Sequence, residues 1–242
     1  VGVGLTLTPL GTCGSYPGPG GACSGYLVRA EGTTVWVDAG NGTMANLQRH
    51  VGLHDVDAVV LSHEHPDHWA DIEGFRVACA YVIERAGVPV YAPAGLRRRL
   101  YSDFKQVLDW HEVADGDRVA IGALSFRFAR TDHGPQTMAM RIEGAGRALG
   151  YTADTSPAWP LSALGAGLDL ALSEATFTAA YEGASKHLSG RQAGQAATQA
   201  EVGRLLLTHF WPTMSTDEIV AEAAAQFDGP VDAAIMNKEY EV

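Results

Sequence analysis

Within six residues the chain places three imidazoles and a carboxylate, His63, His65, Asp67 and His68, directly after the apolar run Val59-Val60-Leu61. The run from Ala58 to Leu61 reads as a buried strand. A chain that leaves a strand and turns sharply into a helix aims alternate side chains at one point. The spacing HxHxDH then lets His63 and His65 face one cation while Asp67 and His68 face a second, about 3.5–4 Å away as in two-metal hydrolases. Few short motifs are as specific, and an ordinary His-rich surface turn does not account for it.

Other strand-like runs end on groups of the same kind. The hairpin expected over 118–121 and 124–129 leads to His133, the one over 137–143 and 147–151 leads to Asp154, and a strand over 204–208 ends on His209. A buried strand over 168–172 ends at Ser173-Glu174, and His187 lies shortly before the next helix. Six of the nine histidines (His63, His65, His68, His133, His187, His209) fall in these segments, so convergence on one site is the economical explanation. His50, His54 and His111 read as ordinary structural side chains. Further strands are expected over 5–10, 26–30, 34–38, 88–91 and 233–236, and helices over 44–51, 70–86 and 94–108. Ser189 with Gln192 and Ser215 with Glu218 form capping boxes that open helices reaching about Val202 and Phe227. Interleaved in this way, the elements predict an α/β protein, an αββα sandwich of two mixed sheets flanked by helices.

Composition narrows the classes. The 242 residues, 46% hydrophobic and 19% charged, suit one metallo-hydrolase domain over 1–242 with a substantial core. No apolar stretch approaches the roughly 20 residues of a membrane span, and the first residues lack a basic leader pattern. Three cysteines (Cys13, Cys23, Cys79), with no metal-type spacing, suit a reducing cytoplasm. A net charge of −11 weighs against a long nucleic acid as partner. The basic run Arg97-Arg98-Arg99 reads as the solvated face of a helix. A small anionic substrate stays compatible, because two divalent cations dominate the local field whatever the global charge.

HxHxDH, a later His133, Asp154 in the turn Tyr151-Thr152-Ala153-Asp154-Thr155 and a final His209 together resemble the metallo-β-lactamase superfamily over most of the chain. The resemblance implies one metal site of His63, His65 and His133, a second of Asp67, His68 and His209, and Asp154 bridging both ions; Ala153 stands where the family usually has glycine. The segments Ser173-Glu174-Ala175-Thr176, His187-Leu188-Ser189 and Leu207-Thr208-His209 are similar to the HEAT, HST and LTH signatures of the ribonuclease Z group, with Ser173 and Leu188 departing from them. Glu174 and His187, the pair that group uses near the leaving oxygen, are retained, which argues for phosphoester chemistry. The lysine-rich arm with which ribonuclease Z grips transfer RNA has no counterpart: only 22 residues, none of them lysine, separate Tyr151 from Glu174. The chain more closely resembles short, armless actinobacterial cyclic-nucleotide phosphodiesterases, and that likeness implies hydrolysis of 3′,5′-cyclic AMP.

The expected cofactors are two Zn²⁺ ions, from the imidazole-rich ligation, with Mn²⁺ or Fe acceptable at mixed His/Asp sites. Coordination lowers the pKa of water to about 7. Asp67 is expected to orient the resulting hydroxide, and His187, oriented by Glu174, to serve the departing ribose oxygen. The loop from Gly11 to Ser15 could present N–H groups to a phosphate, and Trp69, Trp211 or Tyr181 could stack on a base. A homodimer is expected from family likeness and the frequency of two-fold oligomers. The alternatives are an endonuclease acting on RNA 3′ ends, and a thioester or lactone hydrolase, which needs the metals but not Glu174 and His187. A non-catalytic scaffold would have lost ligands, and every expected ligand is present.

Overall fold

The strand β4 (Ala58–Val60) shows how the layers arise, since successive side chains of a strand point to opposite faces. Ala58 and Val60 enter one apolar core, while Val59, and Leu61 just beyond the strand, enter another. The structure is a computed structural model and describes residues 4–101 and 106–242. Among the described residues two seven-stranded sheets form. The first runs in the order β14 (Tyr240–Glu241), β1 (Thr6–Gly11), β2 (Gly25–Ala30), β3 (Thr33–Ala39), β4, β5 (Val88–Pro93) and β6 (Leu108–Val113). The second runs β13 (Val231–Ala233), β12 (Leu205–Thr208), β11 (Leu170–Glu174), β10 (Arg147–Tyr151), β9 (Met138–Gly144), β8 (Leu124–Arg130) and β7 (Arg118–Ile121).

Between the sheets lies a core of Val35, Val37 and Val60 against Phe126, Phe128, Met140 and Leu172. The outer face of the first sheet packs Trp36, Val59 and Leu61 on Phe75 and Cys79 of α3 (Ile72–Tyr81). The outer face of the second packs Ala171, Leu205 and Leu207 on α4 (Gly190–Gln199) and α5 (Thr216–Ala224). This is the αββα sandwich expected from the sequence. Each sheet is antiparallel on one side and parallel on the other. β3, β4 and β5 pair in parallel, as do β10, β11 and β12, so the carboxyl ends of these strands gather along common edges.

Three expectations change. The helix over 94–108 is instead a 3-10 turn at Leu96–Arg99, and Leu108 opens β6; residues 102–105 of that span lie outside the described residues. β6 is an edge strand whose Asp109, His111 and Glu112 are not buried, so its alternation is masked by the charges that edges carry. The helices over 44–51 and 70–86 are shorter, α1 (Thr43–Leu47) and α3 alone, and Glu84 beyond α3 turns left-handed at φ 52°. The strand expected over 233–236 is β13, Val231–Ala233, and β14 beyond it adds an unexpected pairing of Tyr240 with Leu7. No helix among the described residues is long and apolar enough to cross a membrane.

Candidate metal centre

The chain leaves β4, and Pro66 opens the short helix α2 (Pro66–Trp69), which puts Asp67 and His68 in its first turn and leaves His63 and His65 on the connecting loop. His133 follows β8, Asp154 follows β10, and His209 follows β12. All seven converge. Nε2 of His63 lies 3.0 Å from Nδ1 of His65, which is 3.2 Å from Nε2 of His133. Asp154 Oδ2 faces this trio, 3.6 Å from His63 and 3.7 Å from His133. Its Oδ1 faces the other group, 3.2 Å from Nε2 of His68 and 3.3 Å from Nε2 of His209. Asp67 Oδ2 completes that group at 3.6 Å from His68 and 3.4 Å from His209.

These separations fit ligands of a common ion. Donors bound to a tetrahedral ion at about 2.0–2.1 Å stand about 3.3 Å apart. The sets His63, His65, His133, Asp154 and Asp67, His68, His209 each offer one donor atom per residue within 4.8 Å. Buried polar atoms without a partner point the same way: His68 Nε2, His209 Nε2 and Asp154 Oδ1 are buried with no hydrogen bond. Such groups cost about 1–3 kcal/mol each unless something satisfies them, and a cation between them does so. The donor set therefore fits divalent metal.

The other ring nitrogens fix the tautomers. Ser62 Oγ donates to Asp38 Oδ2, so it receives Nδ1–H of His63 at 3.0 Å. Asp38 Oδ2 receives Nδ1–H of His68 at 2.8 Å, and the carbonyl of Lys186 receives Nδ1–H of His133 at 3.1 Å. Thr176 Oγ1 donates to Glu174 Oε2 and so receives Nδ1–H of His209 at 2.8 Å. Each of these four rings thus turns its Nε2 inward. Burial holds the pKa of His63 well below the usual histidine range and lowers those of His65 and His133, which keeps their lone pairs available. Burial opposes a charge on His68, but the carboxylates of Asp154, Asp67 and Asp38 outweigh it and raise its pKa. Burial works against ionised Asp67 too, yet His68 and His209 hold its carboxyl well below the ordinary range.

Glu174 and His187 sit beside this cluster. Glu174, 1% exposed, accepts from Thr155 N, Thr176 Oγ1 and Leu188 N, and lies 3.1 Å from Nδ1 of His187. Nδ1 of His187 is 4.0 Å from Asp154 Oδ2, and its ring stacks on that of His209. Burial disfavours the imidazolium, but Glu174 outweighs it and lifts the pKa of His187 to about 9.

The glycine-rich loop supports the cluster through a ligand: Ser15 N donates to Asp67 Oδ2 at 2.7 Å. Trp211 Nε1 donates to Ser15 Oγ, Trp69 Nε1 to the carbonyl of Glu64, and Tyr181, about half exposed, meets Trp211 edge-on. Glu64 is taken by Arg99, which explains why this second acid of the motif is not a ligand. His50 and His111 bond Asn237 and Asp109, outside the cluster. Sequence reasoning missed Asp38. It closes a strand-end segment as the ligands do, but a buried acid behind a histidine has no spacing of its own. Asp38, Ala153 and His209 all adopt left-handed backbone, at φ 52°, 50° and 60°. For non-glycine residues this costs of order 1–3 kcal/mol and clusters at functional sites. The glycine usual at position 153 would remove that cost there.

A model of the beta-lactamase superfamily domain matches residues 33–210. The chain belongs to the beta-lactamase superfamily, and its fold and donor set define a metal-binding hydrolase of that class. The "Uncharacterized protein Rv1339" of Mycobacterium tuberculosis is 36% identical over 99% of this chain and 93% of its own length. The "Probable metallo-hydrolase YhfI" of Bacillus subtilis is 31% identical over 95% of this chain and 97% of its own. The crystal structure of YhfI superimposes with a TM-score of 0.92 at 29% identity, covering 100% of both chains. A "Ribonuclease Z" of Mycolicibacterium gilvum is 28% identical over 94% of this chain and 93% of its own.

Proposed function

We propose that the protein is a metal-dependent phosphodiesterase of small substrates, with 3′,5′-cyclic AMP or a related cyclic nucleotide as the preferred diester and two zinc ions as cofactor. The observation that carries this reading is the pair of buried Glu174 and partly exposed His187, 3.1 Å apart, with Nδ1 of His187 4.0 Å from the central carboxylate of Asp154. A thioester expels a thiolate, which departs without such an acid, whereas a ribose alkoxide leaves far more readily when it is protonated. Two divalent ions on this donor set would supply a water acidic enough to attack at neutral pH and neutralise the phosphoryl oxygens. The protein's own groups do the rest. Asp67, fixed by the N–H of Ser15, orients the attacking water in line with the departing oxygen. As the bond from that water to phosphorus forms and the bond to the ribose oxygen breaks, His187 gives its proton to that oxygen. Glu174 holds the imidazole by Nδ1–H, leaving Nε2 to act.

The net charge of −11 and the lysine-free stretch between Tyr151 and Glu174 support a small substrate over a long nucleic acid. The ribonuclease Z relative favours a second reading, cleavage at RNA 3′ ends. Turnover of 3′,5′-cyclic AMP, 2′,3′-cyclic AMP, bis-nitrophenyl phosphate and a 3′-extended RNA by zinc-loaded protein separates the two. Preference for the cyclic nucleotides is expected. Faster RNA cleavage with a steep salt dependence would favour the second reading, and absence of any diester turnover would overturn both.

A further inference from the structure

Beneath the metal centre two buried tyrosines each tie one sheet to the other. Tyr151, the last residue of β10 in the second sheet, donates its hydroxyl to Asp38 Oδ2 in β3 of the first, at 2.6 Å. Tyr26, on β2 of the first sheet, shares a hydrogen bond of 2.9 Å with Oγ1 of Thr208, the last residue of β12 in the second. The rings meet edge to face at 5.0 Å, and the two residues are 2% and 1% exposed. They differ in what lies beyond the partner. Thr208 carries no ligand on its side chain, whereas Asp38 receives Nδ1–H of His68, whose Nε2 faces Asp154 and Asp67.

We infer that Tyr151 is a positioning residue for the second ion: its hydroxyl locks the Asp38 carboxylate in the orientation that aims Nε2 of His68 into the site. Three donors meet on Asp38 Oδ2, from Tyr151, Ser62 Oγ and His68, while Ser62 N takes Oδ1 at 2.7 Å. Without the tyrosine, both oxygens are held mainly from Ser62, on one side, and the carboxylate is free to turn away from the imidazole. The left-handed backbone of Asp38, at φ 52°, gives that turn a driving force, because a strained residue keeps its conformation only while its surroundings over-determine it. Ser62 Oγ, at 3.4 Å from Nδ1 of His68, is a poorer acceptor to inherit the ring. Burial and the neighbouring Asp38 raise the pKa of Tyr151 well above the usual tyrosine range, so it remains a donor.

The inference rests on the reading of the cluster as a two-ion site, and the experiment keeps the two apart. Metal-free wild type, Tyr151→Phe and Tyr26→Phe are titrated with Zn²⁺ by calorimetry and with Co²⁺ by visible absorption, and their thermal stabilities are recorded. Loss of a partner that orients a ligating histidine weakens metal binding about 10–100-fold. Tyr151→Phe should weaken one of two binding steps by about that factor and leave the other within about 3-fold. Tyr26→Phe, which removes an equivalent tie between the sheets, should lower stability while keeping both steps. Asp38→Asn, which changes the group that holds the ring directly, should reproduce the selective loss. Equal weakening of both steps, no weakening in Tyr151→Phe, or the same selective loss in Tyr26→Phe would overturn the inference. A wild type that takes up no ion would overturn the underlying site instead.

Discussion

Glu174 and His187 form an ion pair at 3.1 Å whose carboxylate is shut away from solvent while the imidazole keeps 12% of its surface exposed. The acid is thus a fixture of the protein and the base is the part that meets substrate. Replacing His187 by alanine removes the proton donor and its ring contact with His209 but none of the seven clustered ligands. The variant should retain wild-type metal content by elemental analysis and lose about 10²–10⁴-fold in kcat on a ribose leaving group. A bis-nitrophenyl ester, whose leaving group needs little protonation, should lose far less. Equal losses on both substrates would exclude the general-acid role.

The same pair sets a pH dependence. Glu174 outweighs burial and raises the pKa of His187 to about 9, so the charged, donating form persists below that value and is lost as pH rises through it. In Glu174→Gln the opposing burial remains and the favourable charge is gone. The alkaline limb of kcat against pH on a cyclic nucleotide should therefore move to lower pH. An unmoved limb would show that the proton comes from another group.

The site was legible because its ligands sit where strands end. HxHxDH, His133, Asp154 and His209 announce themselves by residue type, and the unbroken apolar runs of β4 and β12, buried throughout, reveal the strands that lead to HxHxDH and His209. What escaped was of two kinds. β6 carries Asp109, His111 and Glu112 along a sheet edge, where solvent rather than a second layer faces the chain, so no apolar rhythm survives. Asp38 and Ser15 act through other residues, by a side chain behind His68 and a backbone N–H on Asp67, and backbone donors leave no signature in residue type. The loop of Gly11 to Ser15, which by its sequence could present N–H groups to a phosphate, gives the N–H of Ser15 to a ligand carboxylate.

Asp154 divides its two oxygens between the two groups, so its removal should not behave like removal of a ligand from one of them. Asp154→Ala is expected to lower the content of both ions, whereas His65→Ala, which touches only His63 and His133 among the ligands, should lower the content of one. Elemental analysis after dialysis against buffered metal distinguishes the cases. Retention of two ions by Asp154→Ala would refute the bridging arrangement.

Metal should also hold the fold together. His68 Nε2, His209 Nε2 and Asp154 Oδ1 are buried without partners, and an ion that binds only the folded chain adds about 2.7 kcal/mol at a free concentration 100 times its Kd. Chelation should lower the melting temperature, and returned Zn²⁺ should restore it. The packing around Asp67 tests the same coupling from the covalent side. A Cβ on Gly40 would lie 1.9 Å from the carbonyl oxygen of Asp67 and 2.8 Å from Cys23 Cβ, so Gly40→Ala forces the ligand segment aside. Overpacking of this kind costs about 1–3 kcal/mol, and here part of the loss should appear as weaker metal binding. Gly134, next to His133, has open space around its would-be Cβ. Gly134→Ala should stay within about 0.5 kcal/mol of wild type, as surface substitutions do. If Gly40→Ala lowered stability in chelated protein but bound Zn²⁺ as tightly as Gly134→Ala, the close approach of Gly40 to Asp67 would matter to packing alone.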